Sequence, residues 1–339
     1  MTAAAPHSRP DPPPGDVVLA LDIGGTKLAA GVVDSRGALL SSAVCPTGVA
    51  EGVDAVLDRL LRLGDRVLAD ARARPQDLLG TGIGCGGPLD SEAGVLVSPP
   101  HLPGWRDVPV VAHVRERYGT PAVLDNDGTA GAAGEWFFGA GRGASHLLYL
   151  TVSTGIGGGA VLGGRVFRGA AGNGGEPGHV TVVSDGRPCR SCGRPGCLEA
   201  YASGSAIAER AAEAAAAAKA AGTPTALGRA GTVTAAEVAA AAEHGDPQAA
   251  RVWGEAVAAL GSGLTSLVNV YEPELVVLGG GVTRAGERLL GPVRAAVAEG
   301  AMGPAARAAR IVPASAGDSA GVVGAAAVAF ERIGGQVPG

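Results

Sequence analysis

A histidine and three cysteines stand along the chain with a spacing that suits a metal ion. His179 is followed by Cys189, Cys192 and Cys197. One imidazole and three thiolates complete a tetrahedral zinc set and leave no position for water, so the metal would be structural. The alternative is a set of free thiols in a loop rich in Gly, Pro and Arg. We favour zinc because three of the five cysteines of the chain fall in the short segment 189–197.

A carboxylate lies close to this metal pattern in the sequence. Glu176 stands three residues before His179, in a segment rich in Gly and Pro. A metal that orders the loop would therefore also fix a carboxylate. Fixed polar side chains of this kind indicate a binding site for a ligand rich in hydroxyl groups.

A glycine-rich turn separates two apolar runs near the start of the chain. Between the apolar residues 17–21 and 28–33 stand Asp22, Gly24, Gly25, Thr26 and Lys27. Glycine lets backbone N–H groups approach phosphate oxygens, Thr26 and Lys27 add donors, and Asp22 could hold Mg²⁺ through water. The pattern predicts a hairpin that binds phosphate, and an ordinary hairpin turn is the alternative.

Two further glycine-rich segments follow apolar runs. Residues 153–159 contain Thr154, Gly155 and Gly157 between two apolar runs, which resembles the first hairpin and indicates an internal repeat. Gly280 and Gly281 follow the apolar run 274–278, where bare backbone would suit a nucleotide base or ribose. The alternative for this last segment is a turn that enters a helix. Several such sites together favour a nucleoside triphosphate, because its phosphates need several donors.

Asp127 is the candidate general base. Phosphoryl transfer requires positioned groups, neutralised charge and a carboxylate that accepts the hydroxyl proton. Asp127 follows a short apolar run, 122–124, and precedes a helical segment, which is a usual place for site residues in α/β proteins. The alternative is that Asp125, Asn126 or Asp127 only caps that helix.

The remaining pattern is that of an α/β protein with covered sheets. Strands are predicted at 17–21, 28–33, 79–84, 122–124, 146–152, 160–162 and 274–278. Helices are predicted at 52–72, 131–138, 200–221, 234–242, 247–267 and 317–331. Asp246 before Pro247 is a candidate N-cap.

Composition excludes some functions. The 339 residues are 46% hydrophobic and 17% charged, with a net charge of −5 and no basic block, which argues against nucleic acid as a partner. No apolar run approaches the roughly 20 residues that cross a bilayer. Residues 1–15 are predicted to be a disordered lead, without the apolar core of a signal peptide. We expect a cytoplasmic protein, with Cys45 and Cys85 as buried inert thiols.

Taken together, these motifs resemble the ROK (repressor, open reading frame, kinase) family of bacterial sugar kinases, in particular actinobacterial glucokinases. The resemblance covers residues 17–330. It rests on the segments 21–27, 126–127, 154–159, 174–179, 192–199, 317–321 and 324–326.

The resemblance implies an actin-like (ribonuclease H-like) two-domain fold in which ATP and a sugar meet in a cleft. It implies that Asp127 deprotonates the sugar hydroxyl. The residues implied to hold the sugar are Gly86, Asn126, Asp127, Glu176, His179 and Glu199, with His179 using its second ring nitrogen for zinc. The residues implied to surround ATP and Mg²⁺ are Asp22, Gly24, Gly25, Thr26, Lys27, Thr154, Gly155, Gly157, Gly280 and Gly281.

Three departures from the family pattern flank the implied sugar site. Ser191 separates what is usually a Cys-x-Cys pair, so that the chain reads Cys-x-x-Cys and Glu199 could shift. Asp125, Gly128 and Thr129 replace residues of the usual Glu-Asn-Asp-Ala-Asn. His101 stands where the family often has Asn. The identity of the sugar is therefore open among glucose, N-acetylhexosamines, amino sugars, fructose, allose and cyclitols.

The sequence thus predicts an ATP- and Mg²⁺-dependent kinase with a structural Zn²⁺ and glucose as the first expected substrate. The different-class alternative is a sugar-responsive regulator without turnover. It is less favoured because only residues 1–15 precede the first strand, too few for a DNA-binding domain, and because Asp127 is present. The predicted domains are 16–124 completed by 319–335, and 125–318 with the zinc-binding loop 179–199. A homodimer or homotetramer is expected from the resemblance.

Overall fold

The computed structural model of the chain describes residues 16–228 and 233–335. The predicted disordered lead, 1–15, lies outside the described residues. The described chain divides into two compact units: unit 1 comprises residues 16–130 and 319–335, and unit 2 comprises residues 131–318. The domain limits 16–124 and 125–318 stay a prediction.

Unit 1 is built on a five-stranded sheet of order β3-β2-β1-β4-β7. Its strands are β1 (Val17–Ile23), β2 (Lys27–Asp34), β3 (Leu39–Pro46), β4 (Leu78–Cys85) and β7 (Ala122–Asn126). β3, β2 and β1 are antiparallel, whereas β1, β4 and β7 are parallel. A separate ribbon pairs β5 (Leu89–Asp90) with β6 (Val95–Leu96). The predicted first hairpin is confirmed.

Three helices cover this sheet. They are α1 (Val53–Ala71), α2 (Val110–Tyr118) and α10 (Ala320–Arg332). α1 is amphipathic, with Val56, Leu60 and Val67 among its buried residues at helical spacing. α10 packs against β1 and β4, where Gly82 has no room for a side chain because Ala325 touches its backbone. The end of the chain therefore completes the core of unit 1.

Unit 2 repeats the topology of unit 1, with a sheet of order β10-β9-β8-β11-β12. Its strands are β8 (Leu147–Val152), β9 (Ile156–Val161), β10 (Val166–Phe167), β11 (Leu275–Gly279) and β12 (Arg310–Pro313). β10, β9 and β8 are antiparallel, whereas β8, β11 and β12 are parallel. The repeat predicted from the two glycine hairpins therefore extends over the whole sheet.

The other α-helices of the described ranges lie between residues 127 and 308. They are α3 (Asp127–Phe138), α4 (Glu199–Ala202), α5 (Gly204–Ala220), α6 (Ala235–Glu243), α7 (Pro247–Tyr271), α8 (Glu287–Gly300) and α9 (Gly303–Ala308). Asp246 caps α7 as predicted, since its side chain accepts the N–H groups of Gln248 and Ala249. Within the described ranges, no helix has the length and apolar character needed to traverse a bilayer.

Two helix predictions need correction. A single helix over 200–221 is wrong, because Ser203 takes an extended backbone and its Oγ accepts the N–H of Ala206, which ends α4 and starts α5. The helix predicted at 131–138 begins earlier, at Asp127, because the side chain of Asn126 satisfies the first N–H groups. In both places a polar side chain that binds the backbone sets the boundary.

Candidate functional site

In unit 1, the predicted site residues lie where three neighbouring parallel strands end. Asp22 stands near the end of β1 and pairs in register with Gly84 of β4. Gly86 follows β4, and Cys85 pairs with Asn126, the last residue of β7. Carboxyl ends of adjacent parallel strands form the usual ligand-binding edge of an α/β sheet. The structure therefore brings Asp22, Gly86 and Asn126 to one edge.

Thr47 fixes the backbone of the first glycine turn by hydrogen bonds. The N–H of Gly24 donates to the carbonyl of Lys27 at 3.1 Å, which closes the turn. The buried Thr47 donates its hydroxyl to the carbonyl of Gly24 at 2.6 Å, and its N–H donates to the carbonyl of Thr26. Thr26 and Lys27 are exposed. The turn thus presents donor side chains on a fixed backbone, as a phosphate site requires.

Asn126 and Asp127 divide the two roles that the sequence left open. Asn126 is buried and its Oδ1 accepts the N–H of Gly128 at 2.8 Å, so Asn126 caps α3. Asp127 Oδ1 also accepts the N–H of Gly128 at 2.8 Å, but its side chain is exposed to solvent. Capping therefore does not require Asp127, and a substrate hydroxyl can reach its carboxylate.

The pKa values of Asp22 and Asp127 are shifted by burial and by neighbouring charges. Burial and the negative charge of Asp127 raise the pKa of Asp22 to about 6, although Lys27 opposes the rise. Surrounding protein also raises the pKa of Asp127, while the hydrogen bond from Gly128 and the charge of His101 lower it. Two neighbouring carboxylates that resist ionisation form a site suited to a divalent cation, whose charge would relieve their repulsion.

In unit 2, two glycine-rich segments lie side by side. β11 runs parallel to β8, with Gly279 paired to Thr151, so Gly280 follows directly beside the turn 153–155. Gly280 has a φ of 90°, and a Cβ there would meet the backbone of Val152. Gly281 borders open space, with Ser153 Oγ as the nearest atom to a Cβ. The close approach at Gly280 requires glycine.

The hairpin of unit 2 holds Thr154, Gly155 and Gly157. Thr154 is exposed, and its carbonyl accepts the hydroxyl of Ser205 at 2.5 Å. Gly155 has no room for a side chain, because a Cβ would lie 2.6 Å from Oε2 of Glu199. Gly157 pairs with Thr151 on β8, and a Cβ there would meet only an ordinary contact at 3.5 Å. Packing thus explains Gly155 but not Gly157.

Glu199 connects the loop 179–199 to this hairpin. Its carboxylate is buried, and Oε2 accepts the N–H of Ile156 at 2.8 Å. Oε1 accepts the hydroxyl of Ser191 and lies 3.3 Å from Sγ of Cys189. Each carboxylate oxygen therefore has a partner on a different segment, which fixes the orientation of the side chain.

Glu176 and His179 lie at the two ends of a short turn. The 3-10 helix Pro177–His179 is closed by the N–H of His179, which donates to the carbonyl of Glu176 at 3.1 Å. Gly178 packs on the backbone of Ile156 so closely that no side chain fits. The Glu176 side chain is exposed and that of His179 is half-buried. This turn therefore rests on the same hairpin that contacts Glu199.

The metal pattern comes together as the spacing predicts. Donor atoms of His179, Cys189, Cys192 and Cys197 all lie within 4.8 Å of one another. Sγ of Cys192 is 3.6 Å from Sγ of Cys197, and Sγ of Cys189 is 3.8 Å from Nδ1 of His179. Tetrahedral zinc with 2.3 Å bonds to sulfur requires edges of about 3.8 Å. The residues present thus fit zinc with four protein ligands.

A cavity of about 470 Å³ opens beside these residues in unit 2. Thr154, Gly155, Ser191, Glu199, Ser203 and Ser205 are among its lining residues. Its volume falls within the range of about 300–1,000 Å³ that is usual for small-molecule sites. The lining is rich in hydroxyl groups and backbone, which suits a polar ligand.

Thr47 and His101 belong to the surroundings of the predicted residues, although sequence reasoning did not place them in the site. Thr47 follows β3 and had no motif that could identify it. His101 was noted only as a departure from a family pattern. A Cβ on Gly86 would lie 2.6 Å from Cε1 of His101, so the ring covers a glycine that was predicted to approach the sugar.

Comparison with known proteins agrees with this geometry. A sequence model described as the ROK family matches residues 18–332. A glucokinase from Thermotoga maritima is 35% identical over 320 residues, which cover 94% of this chain and 98% of that protein.

Solved structures show the same similarity. A ROK hexokinase from Thermus thermophilus is 39% identical, with a TM-score of 0.77 over 94% of this chain and 100% of its own. A ROK family glucokinase from Streptomyces griseus, in complex with glucose and AMPPNP, is 34% identical, with a TM-score of 0.77 over 93% of this chain and 99% of its own. The predicted fold class, an actin-like α/β fold, is confirmed.

Proposed function

This chain belongs to the ROK family, and we propose that it is a sugar kinase that transfers the γ-phosphoryl group of ATP to a hexose, with glucose 6-phosphate as the product from glucose. The observation that carries the proposal is the exposed carboxylate of Asp127 at the end of β7, beside an Asn126 that has already capped the helix. The similarity to glucokinases over nearly the whole chain supports glucose as the acceptor.

In this proposal Asp127 is the general base. Its carboxylate accepts the proton of the sugar hydroxyl as that oxygen bonds to the γ-phosphorus of ATP. The bond between the γ-phosphorus and the bridging oxygen breaks, and ADP leaves with the electron pair. Because Asp127 is exposed, its proton can return to solvent after the product departs.

Three residues of unit 2 would hold sugar hydroxyls. Ile156 and Ser191 fix the carboxylate of Glu199, so Glu199 needs no rearrangement to accept a hydrogen bond from a sugar hydroxyl. Glu176 and His179 present a carboxylate and an imidazole from one short turn. If Nδ1 of His179 binds zinc, Nε2 carries the ring proton and can only donate, which selects an acceptor oxygen of the sugar. In unit 1, Gly86 and Asn126 would complete the contacts.

The residues proposed to bind ATP belong to glycine turns. In unit 1 these residues are Asp22, Gly24, Gly25, Thr26 and Lys27. In unit 2 they are Thr154, Gly155, Gly157, Gly280 and Gly281. Asp22, with its raised pKa, is the residue that would hold Mg²⁺. Bound Mg²⁺ supplies neutralising charge at the phosphates.

Zinc would be structural in this proposal. Its four ligands leave no position for water, so bound zinc supplies only folding energy. The loop that it orders carries Ser191, and Ser191 in turn binds Glu199. We further propose a cytoplasmic enzyme of carbohydrate metabolism, including glycolysis, that assembles as a homodimer or homotetramer.

The proposal is tested by ADP release from Mg-ATP with glucose, mannose, fructose, N-acetylhexosamines, amino sugars and cyclitols. We expect turnover with glucose. Turnover only with another member of the panel would keep the kinase and overturn glucose as the acceptor. If folded protein that still binds a sugar releases no ADP with any acceptor, this result would support the regulator without turnover.

Replacement of the base separates catalysis from binding. Asp127→Asn should reduce kcat by at least about 100-fold, since general base catalysis contributes about 10²–10⁴-fold. The sugar dissociation constant, measured by calorimetry without ATP, should change little. Asp107→Asn is the control, because Asp107 is an exposed carboxylate of the same unit. Full activity of the Asp127 variant would remove it as the base.

A further inference from the structure

His101 packs against two glycines of unit 1, Gly25 and Gly86. A Cβ on Gly25 would lie 2.7 Å from the carbonyl oxygen of His101, and a Cβ on Gly86 would lie 2.6 Å from its Cε1. Both ring nitrogens would be 3.3 Å from that second Cβ. Glycine at these positions therefore makes room for one residue, His101, and not only for a ligand.

The loop that carries His101 is anchored, so the ring has a defined place. Leu102 and Trp105 are 1% and 2% exposed, and both belong to the core of unit 1. The N–H of Leu102 donates to the carbonyl of Pro99 at 3.0 Å. The N–H of Trp105 donates to the carbonyl of Leu102 at 3.2 Å. The imidazole itself is only half-buried. An anchored loop with a half-exposed ring presents that ring to a ligand.

The imidazole of His101 also interacts with Cys85 and Asp127, at the edge where the parallel strands of unit 1 end. Nε2 of His101 lies 3.8 Å from Sγ of the buried Cys85, a weak contact that leaves much of the bonding capacity of the ring unused. The charge of His101 interacts with that of Asp127. Behind these groups stand Asp22, which interacts with Cys85 and Asp127, and Lys27, which interacts with Asp22. Asp127 and Cys85 thus interact with the imidazole itself, while Asp22 and Lys27 interact with those two groups or with each other.

Resting on the proposed kinase function, we propose that His101 is a specificity-determining residue of the acceptor site, whose imidazole hydrogen-bonds a sugar hydroxyl beside Gly86 while it faces Asp127. The neutral ring has one donor and one acceptor, so it can accept a hydrogen bond from a sugar hydroxyl or donate one to the hydroxyl oxygen. The protonated ring has two donors and no acceptor. The contact with the sugar therefore depends on the charge of the ring.

The direction of this dependence follows from burial. Loss of solvent contact lowers the pKa of His101 below its ordinary value of 6.5, and the negative charge of Asp127 only partly offsets that effect. The ring is thus neutral at pH 7.5. As the pH falls through this lowered pKa, protonation removes the acceptor of the ring and should weaken sugar binding.

The experiment compares His101→Ala and His101→Asn with the unchanged enzyme at pH 7.5 and 5.5. In His101→Ala, loss of one hydrogen bond should raise the KM for the sugar about 3- to 10-fold at pH 7.5, while the KM for ATP stays within about 2-fold. Asn has a donor and an acceptor that do not titrate. His101→Asn should therefore restore much of the sugar affinity and lose less of it between pH 7.5 and 5.5. His113→Asn on α2 is the matched control.

The outcomes separate this proposal from the kinase function. Turnover by the unchanged enzyme with equal sugar KM values and equal pH dependence in all variants would overturn the role of His101 and leave the kinase intact. Equal increases in both KM values would indicate a structural role and would also overturn it. If His101→Ala does not fold, as judged by thermal melting, the pH comparison of His101→Asn decides alone. Absence of turnover in the unchanged enzyme would refute the kinase function itself.

Discussion

Gly321 in the first turn of α10 lies against the carboxylate of Asp22, so closely that a Cβ at this position would collide with both carboxylate oxygens. Asp22 stands near the end of β1, almost three hundred residues earlier in the chain. The contact explains why a glycine stands in the first turn of this helix, where a residue with a side chain would favour helix formation. The last helix thus shapes the candidate Mg²⁺ site of unit 1.

We therefore expect Gly321→Ala to impair the use of ATP. The added methyl group must displace Asp22, and a misplacement of about 1 Å can cost about 100-fold in rate. The value of kcat/KM for Mg-ATP should fall by about 10- to 100-fold, while sugar affinity measured without ATP should stay the same. Steady-state kinetics and calorimetry measure the two effects.

Gly254→Ala is the matched control for this substitution. Gly254 lies in α7, and a Cβ there meets no atom within 4 Å. This variant should keep full activity and gain up to about 1 kcal/mol of stability from helix propensity. Unimpaired kinetics of Gly321→Ala would mean that Asp22 can move without consequence, which would argue against a role for it at the phosphates.

Asp22→Asn should stabilise the protein at neutral pH and inactivate it. The pKa of Asp22 is raised from 3.8 to about 6 by burial and by Asp127, so the folded state prefers the protonated carboxyl. That stabilisation is complete below pH 3.8 and is lost as the pH rises through about 6. Asn mimics the protonated form at every pH. The gain at pH 7 is at most about 3 kcal/mol, and less because Asp22 is only half-buried.

Thermal melting without ligands at pH 7.5 and pH 4.0 measures this effect. The midpoint of Asp22→Asn should exceed that of the unchanged protein at pH 7.5, and the difference should shrink at pH 4.0, where Asp22 is itself protonated. Asp107→Asn serves as the control, since Asp107 is an exposed carboxylate of the same unit. A difference that does not vary with pH would contradict the assigned electrostatics.

Local patterns in the sequence predicted much of the fold, and tertiary contacts account for what they missed. The two hairpins and the helices α1, α6, α7 and α10 were predictable, because glycine turns and apolar periodicity act over short distances. The helices α2 and α8 were not predicted. β3 was missed because its edge position leaves most of its residues half-buried or exposed, with no alternation to detect. β10 and β12 have only two and four residues, too few for a pattern.

The candidate site was predictable to the same extent. Residue type and spacing selected Asp127 as the candidate base and predicted the cluster of His179 with three cysteines, because those motifs lie within short segments. Thr47 could not be found, since its hydroxyl reaches Gly24 across 23 residues of sequence. The partners of Glu199 were equally hidden, because Ile156 lies 43 residues away. Contacts of this kind become visible only when the sheet is assembled.

Ser191→Ala should weaken sugar binding without loss of zinc. The hydroxyl of Ser191 donates to Oε1 of Glu199, which leaves only Ile156 to orient the carboxylate when the hydroxyl is removed. A hydrogen bond to a charged group contributes about 1.5–3 kcal/mol, so the KM for the sugar should rise by about 10-fold or more. Steady-state kinetics and zinc analysis on the same samples measure both properties.

Ser184→Ala provides the comparison, because Ser184 is an exposed serine of the same loop. It should leave both the KM and the zinc content unchanged. If Ser191→Ala keeps the KM of the unchanged enzyme, Glu199 does not depend on Ser191 for its orientation. If zinc is lost as well, the serine supports the loop rather than the carboxylate.

Removal of zinc should disorder the sugar-binding residues of unit 2 while unit 1 stays folded. The four ligands fit a closed tetrahedral site, and His179 also belongs to the turn that carries Glu176. Cys192→Ser should lower the zinc content from one ion per chain and increase hydrogen exchange over residues 176–199, with little change over β1 and β4. Cys45→Ser is the control, because this half-buried thiol on β3 lies outside the cluster. Full zinc content in Cys192→Ser, or unchanged exchange after zinc is lost, would each refute a structural zinc that orders this loop.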